Sequence, residues 1–270
     1  MPISVNEIKQ ARYLYSITNT GKKQNLGTIG IGARSVYTVV FQDIAAIVHT
    51  SEFEPEPAKS AEQVEQWVMT HNYVIDKAIE NFNTVLPVSF GCLFKGDDES
   101  VERWLQKNYN SYKKELERLK DSAEYSIHIF YDPKVLEEQI IDTIPELKEM
   151  DKKIEIMPKG KAYIFKKKFE LNLKQAIIDQ LTGLVEEFGA SLRKNVTELI
   201  IEEKISYVPE KYAGKKLMVA FSCLIAQKNV EQLGQSLEGI NKKEGLAVRF
   251  TGPLAPFSFV DLKETIEDET

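Results

Sequence analysis

Residues 36–48 read Val36-Tyr37-Thr38-Val39-Val40-Phe41-Gln42-Asp43-Ile44-Ala45-Ala46-Ile47-Val48. Two β-branched, apolar runs flank Gln42-Asp43, and so short a gap between strand-like runs predicts an antiparallel hairpin, although Gln-Asp is not the favoured turn pair. Pro55 and Pro57 then close off extended structure. From Ser60 the period changes. Val64, Trp67, Val68, His71, Ile75, Ala78, Ile79 and Phe82 recur at three and four residues, which is one face of an amphipathic helix. Ser60 with Gln63 fits the capping box that opens such a helix.

On the amino-terminal side of the hairpin, Tyr13–Ile17 reads as a first strand and Asn19–Lys23 as a polar loop. On the other side, Val85–Gly91 is short, apolar and strand-like, with Pro87 marking an edge or a strand start. Asp97–Ser100 opens a second helix with acidic residues where the helix dipole favours them. Its apolar face is Val101, Trp104, Leu105, Tyr112, Leu116 and Leu119, and Tyr125–Tyr131 follows as a strand. The order strand, strand, strand, helix, strand, helix, strand resembles a ferredoxin-like α+β sandwich.

Pro133–Met150 has helical character interrupted by Pro145, and the charged stretch Lys148–Lys161 carries Pro158-Lys159-Gly160. A domain boundary is expected there. That gives an α+β fold in two domains, an N-terminal ferredoxin-like α+β domain over residues 1–150 and a C-terminal α+β domain over residues 151–270. The second contains a long helix, Ala162–Phe188, with Gly189 as its stop. Leu217–Ala226 reads as a central strand, Asn229 as the cap of a helix reaching Glu244, and Leu246–Thr251 as the next strand. Gly252-Pro253 is expected to break that strand before Pro256–Val260.

The chain has 270 residues, 43% hydrophobic and 28% charged, with a formal net charge of -6. These values describe a globular composition, and the length favours two modest domains. The acidic balance argues against nucleic acid, whose phosphates demand concentrated Lys and Arg. Lys166-Lys167-Lys168 reads as a solvated helix face. Cys92 and Cys223 are far apart in apolar runs and form neither a disulfide framework nor a metal motif. Met1–Gln10 contains Glu7 and no continuous apolar core, so no signal peptide is expected, and no run reaches the roughly 20 apolar residues of a membrane span.

No catalytic set stands out. His71 lies on an apolar helix face, His49 ends a strand, and His128 lies inside one, its alternation with Ile127 and Ile129 turning it to solvent. None has the partner spacing of a helical zinc site. Gly27, Gly30 and Gly32 lack the GxGxxG spacing, and a strand rather than a helix follows them, so a turn is the simpler reading. Ser89 and Ser222 sit in apolar strand-like runs without a nucleophile elbow. The carboxylate pairs Glu115 and Glu117, Glu186-Glu187 and Glu202-Glu203 read as solvated helix surface. No cofactor and no metal are implied.

Several segments, taken together, resemble the GvpF/GvpL family of gas vesicle proteins. They are the Tyr13-Leu14-Tyr15 strand, Val36-Tyr37 with Asp43–Val48, His71-Asn72, Val85-Leu86-Pro87-Val88-Ser89-Phe90-Gly91, Gly160-Lys161-Ala162-Tyr163, and Thr251-Gly252-Pro253-Leu254-Ala255-Pro256-Phe257-Ser258-Phe259. The last is similar to the family's TGPWPPYSF, with Leu254, Ala255 and Phe257 at the points of departure. The resemblance spans about Arg12 to Val260. It implies a cytoplasmic protein of the gas vesicle, not an enzyme, that acts as a minor structural or accessory component. The implied partners are the major hydrophobic shell protein and other accessory gas vesicle proteins, with neither nucleic acid nor membrane. Two other readings stand beside it, a soluble assembly chaperone not retained in the shell and an enzyme on a ferredoxin-like scaffold. The candidate partner-binding residues are Leu254, Pro256, Phe257 and Phe259. The alternative is that Phe257 and Phe259 are core residues of a final strand.

Overall fold

The tyrosine-bearing first strand is the middle of a sheet. The computed structural model describes residues 10–52, 57–202 and 209–262. Pro55 and Glu203 fall outside them. Strand β1 (Gln10–Thr18) pairs antiparallel with β4 (Ile44–Glu52) on one side and with β5 (Val85–Pro87) and β6 (Leu93–Lys95) on the other. Beyond β4 come β3 (Val36–Phe41) and β2 (Asn25–Gly27), giving the order β2-β3-β4-β1-β5. Every residue of β1 from Ala11 to Thr18 is buried. Tyr13 and Tyr15 pack with Val74, Ile75 and Ala78 of helix α1 (Ala61–Phe82). On the other face, Arg12 Nε donates at 2.6 Å to Asp98 in the first turn of α2 (Asp98–Arg118).

The expected hairpin closes at Phe41↔Ile44, with Gln42 held at φ 53°. A left-handed glutamine is costly. Asp43 anchors the turn, accepting from Tyr109 Oη at 2.7 Å and from Lys113 Nζ. Ser60 caps α1 by accepting from the Gln63 amide at 3.3 Å. The reciprocal bond differs from a capping box, because Gln63 Oε1 accepts from Lys59 N at 2.7 Å, one residue upstream of the cap. The observed order, four strands, α1, two short strands and α2, adds the short strands β2 and β6 to the order expected from the sequence. β5 stops at Pro87, so Ser89 and Phe90 are exposed in the following loop and Cys92 is half-buried in it.

The second sheet has the order β10-β7-β9-β8, formed by β7 (Ser122–Tyr131), β8 (Glu198–Ile201), β9 (Lys216–Ala226) and β10 (Leu246–Leu254). Between β7 and β8 run α3 (Pro133–Thr143), α4 (Pro145–Ile156) and α5 (Lys159–Leu192); α6 (Val230–Asn241) lies between β9 and β10. Pro145 separates α3 from α4 as a proline at the first helical position. Gly189 does not stop α5. Phe188 and Leu192 are 1% and 0% exposed, and their burial outweighs the roughly 1 kcal/mol cost of a helical glycine. Likewise Gly252-Pro253 does not end β10, which continues to Leu254 with Gly252 at φ 150°.

Two compact units emerge, Met1–Glu124 with Pro253–Thr270, and Tyr125–Gly252. The Lys148–Lys161 stretch, read from the sequence as a domain boundary, is the end of α4 and the start of α5, both inside the second unit. There α5 packs Phe169, Leu173, Ala176, Ile177 and Leu181 against Leu136 and Ile140 of α3 and Leu147 of α4.

Candidate functional site

Helix α5 is apolar on two faces. One is the core face just described. The other exposes Ile164, Leu171 and Ile178, at 77%, 69% and 46% of their surface. Their spacing of seven residues places them on one stripe, because two turns of helix bring a side chain back to nearly the same side. Tyr163 adds a further exposed ring, with Lys167 Nζ 5.1 Å from its centroid. Lys166, Lys167 and Lys168 are exposed here, as a solvated face predicts, and the apolar stripe passes between them. Among the described residues no element covers this stripe.

The carboxyl-terminal segment of the first unit divides the sequence candidates. Leu254 and Phe257 are each 40% exposed, whereas Phe259 is 8% exposed and Pro256 is buried. Phe257–Phe259 forms a single 3₁₀ turn, not a final strand. It is clamped by groups that the sequence reading passed over. Ser258 donates through its amide at 2.9 Å and its hydroxyl at 2.7 Å to the buried carboxylate of Glu124, and Arg118 donates to the Phe259 carbonyl at 2.7 Å. Leu254 and Pro256 line a shallow cleft of about 300 Å³ with Ile79, Val85 and Leu119.

A larger groove lies over the first sheet. The register of β1 against β4 shifts between Leu14 and Ser16, so Tyr15 is the extra residue of a bulge. The bulge gathers two tyrosines and two histidines from β1, β4 and α1. Tyr13 stacks on His49 with ring centroids 5.0 Å apart. Tyr15 Oη lies 2.8 Å from His49 Nδ1, and Tyr13 Oη lies 3.0 Å from His71 Nδ1. Both histidines are buried. For His49 this corrects the reading of a residue at a strand end, since β4 runs on to Glu52. His128 is half-buried rather than solvent-facing, and its Nδ1 has no partner among the described residues.

Hydrogen-bond direction follows from the fixed partners. His71 Nε2 lies 2.9 Å from the Val88 carbonyl, which only accepts, so Nε2 carries the proton and Nδ1 accepts from Tyr13. Tyr13 Oη in turn accepts from the Gly91 amide at 2.9 Å, and Tyr15 Oη accepts from the Ile31 amide at 3.0 Å. Gly30 belongs to this arrangement. A Cβ there would fall 2.9 Å from Tyr15 Oη, so the glycine-containing turn is shaped to the tyrosine rather than to a phosphate.

Above this floor, Val64 and Trp67 of α1, Phe90 and Leu93 of the next loop and strand, and Ile31 and Arg34 of the turn after β2 enclose a groove of about 570 Å³. Burial pushes the His49 imidazole down to about 4, with the positive field of Arg34 adding to the effect. Burial also lowers His71 and raises Tyr13, and pushes Tyr15 up to about 12 against the opposing Ile31 amide. Among the described residues no group of three or more His, Cys, Asp or Glu side chains is placed to hold a metal ion, and no helix is long and apolar enough to cross a membrane.

These features define a mixed α/β protein with an exposed apolar stripe on α5 and a groove over its first sheet. The chain belongs to the GvpL/GvpF gas vesicle synthesis protein family, whose model matches residues 11–261. It is 29% identical to gas vesicle protein L1 of Halobacterium salinarum, over 93% of this chain and 91% of that one. It is 31% identical to gas vesicle protein L of Haloferax mediterranei, over 86% and 72%. The crystal structure of the gas vesicle protein GvpF from Anabaena shares the fold, with a TM-score of 0.74 at 20% identity, covering 93% of this chain and 98% of that one.

Proposed function

We propose that this chain acts in gas vesicle formation as a minor structural or accessory protein that binds the major hydrophobic shell protein. Membership of the family supports the process, and the exposed Ile164–Leu171–Ile178 stripe of α5 carries the binding. Covering a large apolar side chain contributes about 1.5–3 kcal/mol when complete. Three partly exposed ones, flanked by lysines that keep the free protein soluble, therefore supply a surface that an apolar partner stabilises. The place of action is the cytoplasm and the vesicle surface.

A catalytic role has less support. The groove gathers titratable groups, but their shifts run away from neutrality, His49 downward to about 4 and Tyr15 upward to about 12. General acid–base catalysis needs a group poised near the working pH. These groups instead hold fixed protons and fixed hydrogen bonds.

The test is Leu171→Glu, at an exposed position where folding is not at stake. The variant is expected to lose co-purification with the shell protein while its melting temperature is unchanged. Equal binding by variant and parent removes the stripe as the contact. Retention of the parent in vesicles that have been floated and washed in denaturant separates a shell component from an assembly chaperone.

A further inference from the structure

Strand β8 ends the second sheet, and among the described residues no strand lies beyond it. Which of its backbone groups face outward follows from the register. β8 runs antiparallel to β9 with Ile200 opposite Ser222, and the Glu202 amide donates to the Ala220 carbonyl at 2.9 Å. The amide and carbonyl of one residue point to the same side of a strand, and successive residues alternate. Glu198, Ile200 and Glu202 therefore bond towards β9, whereas the N–H and C=O groups of Leu199 and Ile201 point away from the sheet. Among the described residues nothing pairs with these outward groups. Ile200 and Ile201 are 38% and 49% exposed, and β8 carries neither the lysine nor the proline that commonly blunts an edge. Free donors and acceptors in alternation, beside exposed isoleucines, are a template for another strand.

Charge decides which strand. Glu198, Ile200 and Glu202 share one face by the period of two, so carboxylates flank an apolar centre. A second copy paired antiparallel about Ile200 would set each Glu198 opposite the partner's Glu202, and like charges directly opposite destabilise. A strand with basic side chains at those two positions gains instead. Its lysines fall in non-hydrogen-bonded pairs, where facing side chains approach most closely. We infer that the outer edge of β8 is a strand-addition site for an extended segment of another protein, with an apolar centre between two basic residues four positions apart. Leu199 and Ile201 supply the main-chain bonds, Ile200 the apolar contact, and Glu198 and Glu202 the selection. The site lies in the second unit and does not use the α5 stripe.

The experiment titrates the full chain with a capped Lys-Val-Ile-Val-Lys peptide and with Glu-Val-Ile-Val-Glu, reading amide shifts and hydrogen exchange by NMR. The lysine peptide is expected to bind about tenfold more tightly, because two cross-strand charge pairs change sign. It should slow exchange at the Leu199 and Ile201 amides and leave Ile200, already bonded to β9, as the unchanged reference. Ile201→Pro removes an outward N–H and keeps the bonds to β9, so it should weaken the lysine peptide about tenfold, the worth of one hydrogen bond. The melting temperature reports whether that variant folds, and Ile200→Lys, at an exposed position, decides the matter if it does not. Equal affinity for the two peptides overturns the inference. So does binding without slowed exchange at Leu199 and Ile201, or binding undiminished in both folded variants. A dimer of the parent that Ile201→Pro dissociates would make a second copy the occupant and overturn it as well.

Discussion

Replacing His49 by asparagine removes a titrating ring from the sheet while leaving a polar atom to receive the Tyr15 hydroxyl. In the native protein the imidazole is pushed from its ordinary 6.5 down to about 4, first by burial and then by Arg34. As the pH falls through this window, the unfolded chain takes up a proton that the folded chain refuses. The stabilisation is thus fully present above about 6.5 and is lost as the pH falls towards 4. A shift of this size corresponds to about 3 kcal/mol over the whole window, of which roughly 2 kcal/mol falls between pH 7 and pH 5. His71 shifts in the same direction, and the carboxylates of Asp43 and Asp97 are held low by their hydrogen bonds, but all three are common to parent and variant. Urea unfolding at pH 7, 6 and 5 measures the difference. The variant starts less stable because it packs less well, so only the slope is informative. The parent should lose roughly 2 kcal/mol more than His49→Asn between pH 7 and pH 5. Parallel curves would refute the account of a buried, neutral histidine.

Phe259→Ala should cost about 3–5 kcal/mol, as an aromatic core truncation does, whereas Phe257→Ala, with 40% of its surface exposed, should cost under about 2 kcal/mol. Loss of partner binding by Phe257→Ala at an unchanged melting temperature supports a contact role for the carboxyl-terminal segment, and a large fall in melting temperature removes it. Gly252→Ala should destabilise by about 1–3 kcal/mol in thermal melts, because φ is 150° and a Cβ there overlaps the Tyr125 ring. A neutral result would show that β10 relaxes at this point. Limited proteolysis is expected to cut first at the break between α4 and α5 near Met157-Pro158. The fragments should stay together on gel filtration because α5 packs on α3 and α4; fragments that part freely would instead make Lys148–Lys161 a boundary between domains.

The local code was legible wherever one residue type forces one geometry. The β-branched, apolar runs Val36–Phe41 and Ile44–Val48 located β3 and β4, and period 3.6 after Ser60 located α1, since the positions that meet the core follow the geometry of each element. Ser60 and Asp97 marked helix starts by the same logic, because the first turn of a helix needs acceptors, and Pro145 marked the interruption that separates α3 from α4. Gly189 and Gly252 misled, because a glycine permits a break without requiring one. Burial of Phe188 and Leu192 carried α5 through the first, and pairing in the sheet carried β10 through the second.

The groove was beyond the sequence for a different reason. Tyr13, Arg34, His49, Trp67, His71 and Phe90 come from separate elements, and nothing in their order along the chain says that they meet. The bulge at Tyr15 turns its hydroxyl onto His49, and such a one-residue shift leaves the alternation of the strand unchanged to the eye. Composition and motif order determined that this is an acidic, mixed α/β member of a gas vesicle family with no phosphate loop in its sequence. Tertiary packing alone decided which of its apolar residues are core and which are surface. Ile164 and Phe169 lie five residues apart on one helix, yet among the described residues Phe169 packs against α3 and α4 while Ile164 stays exposed.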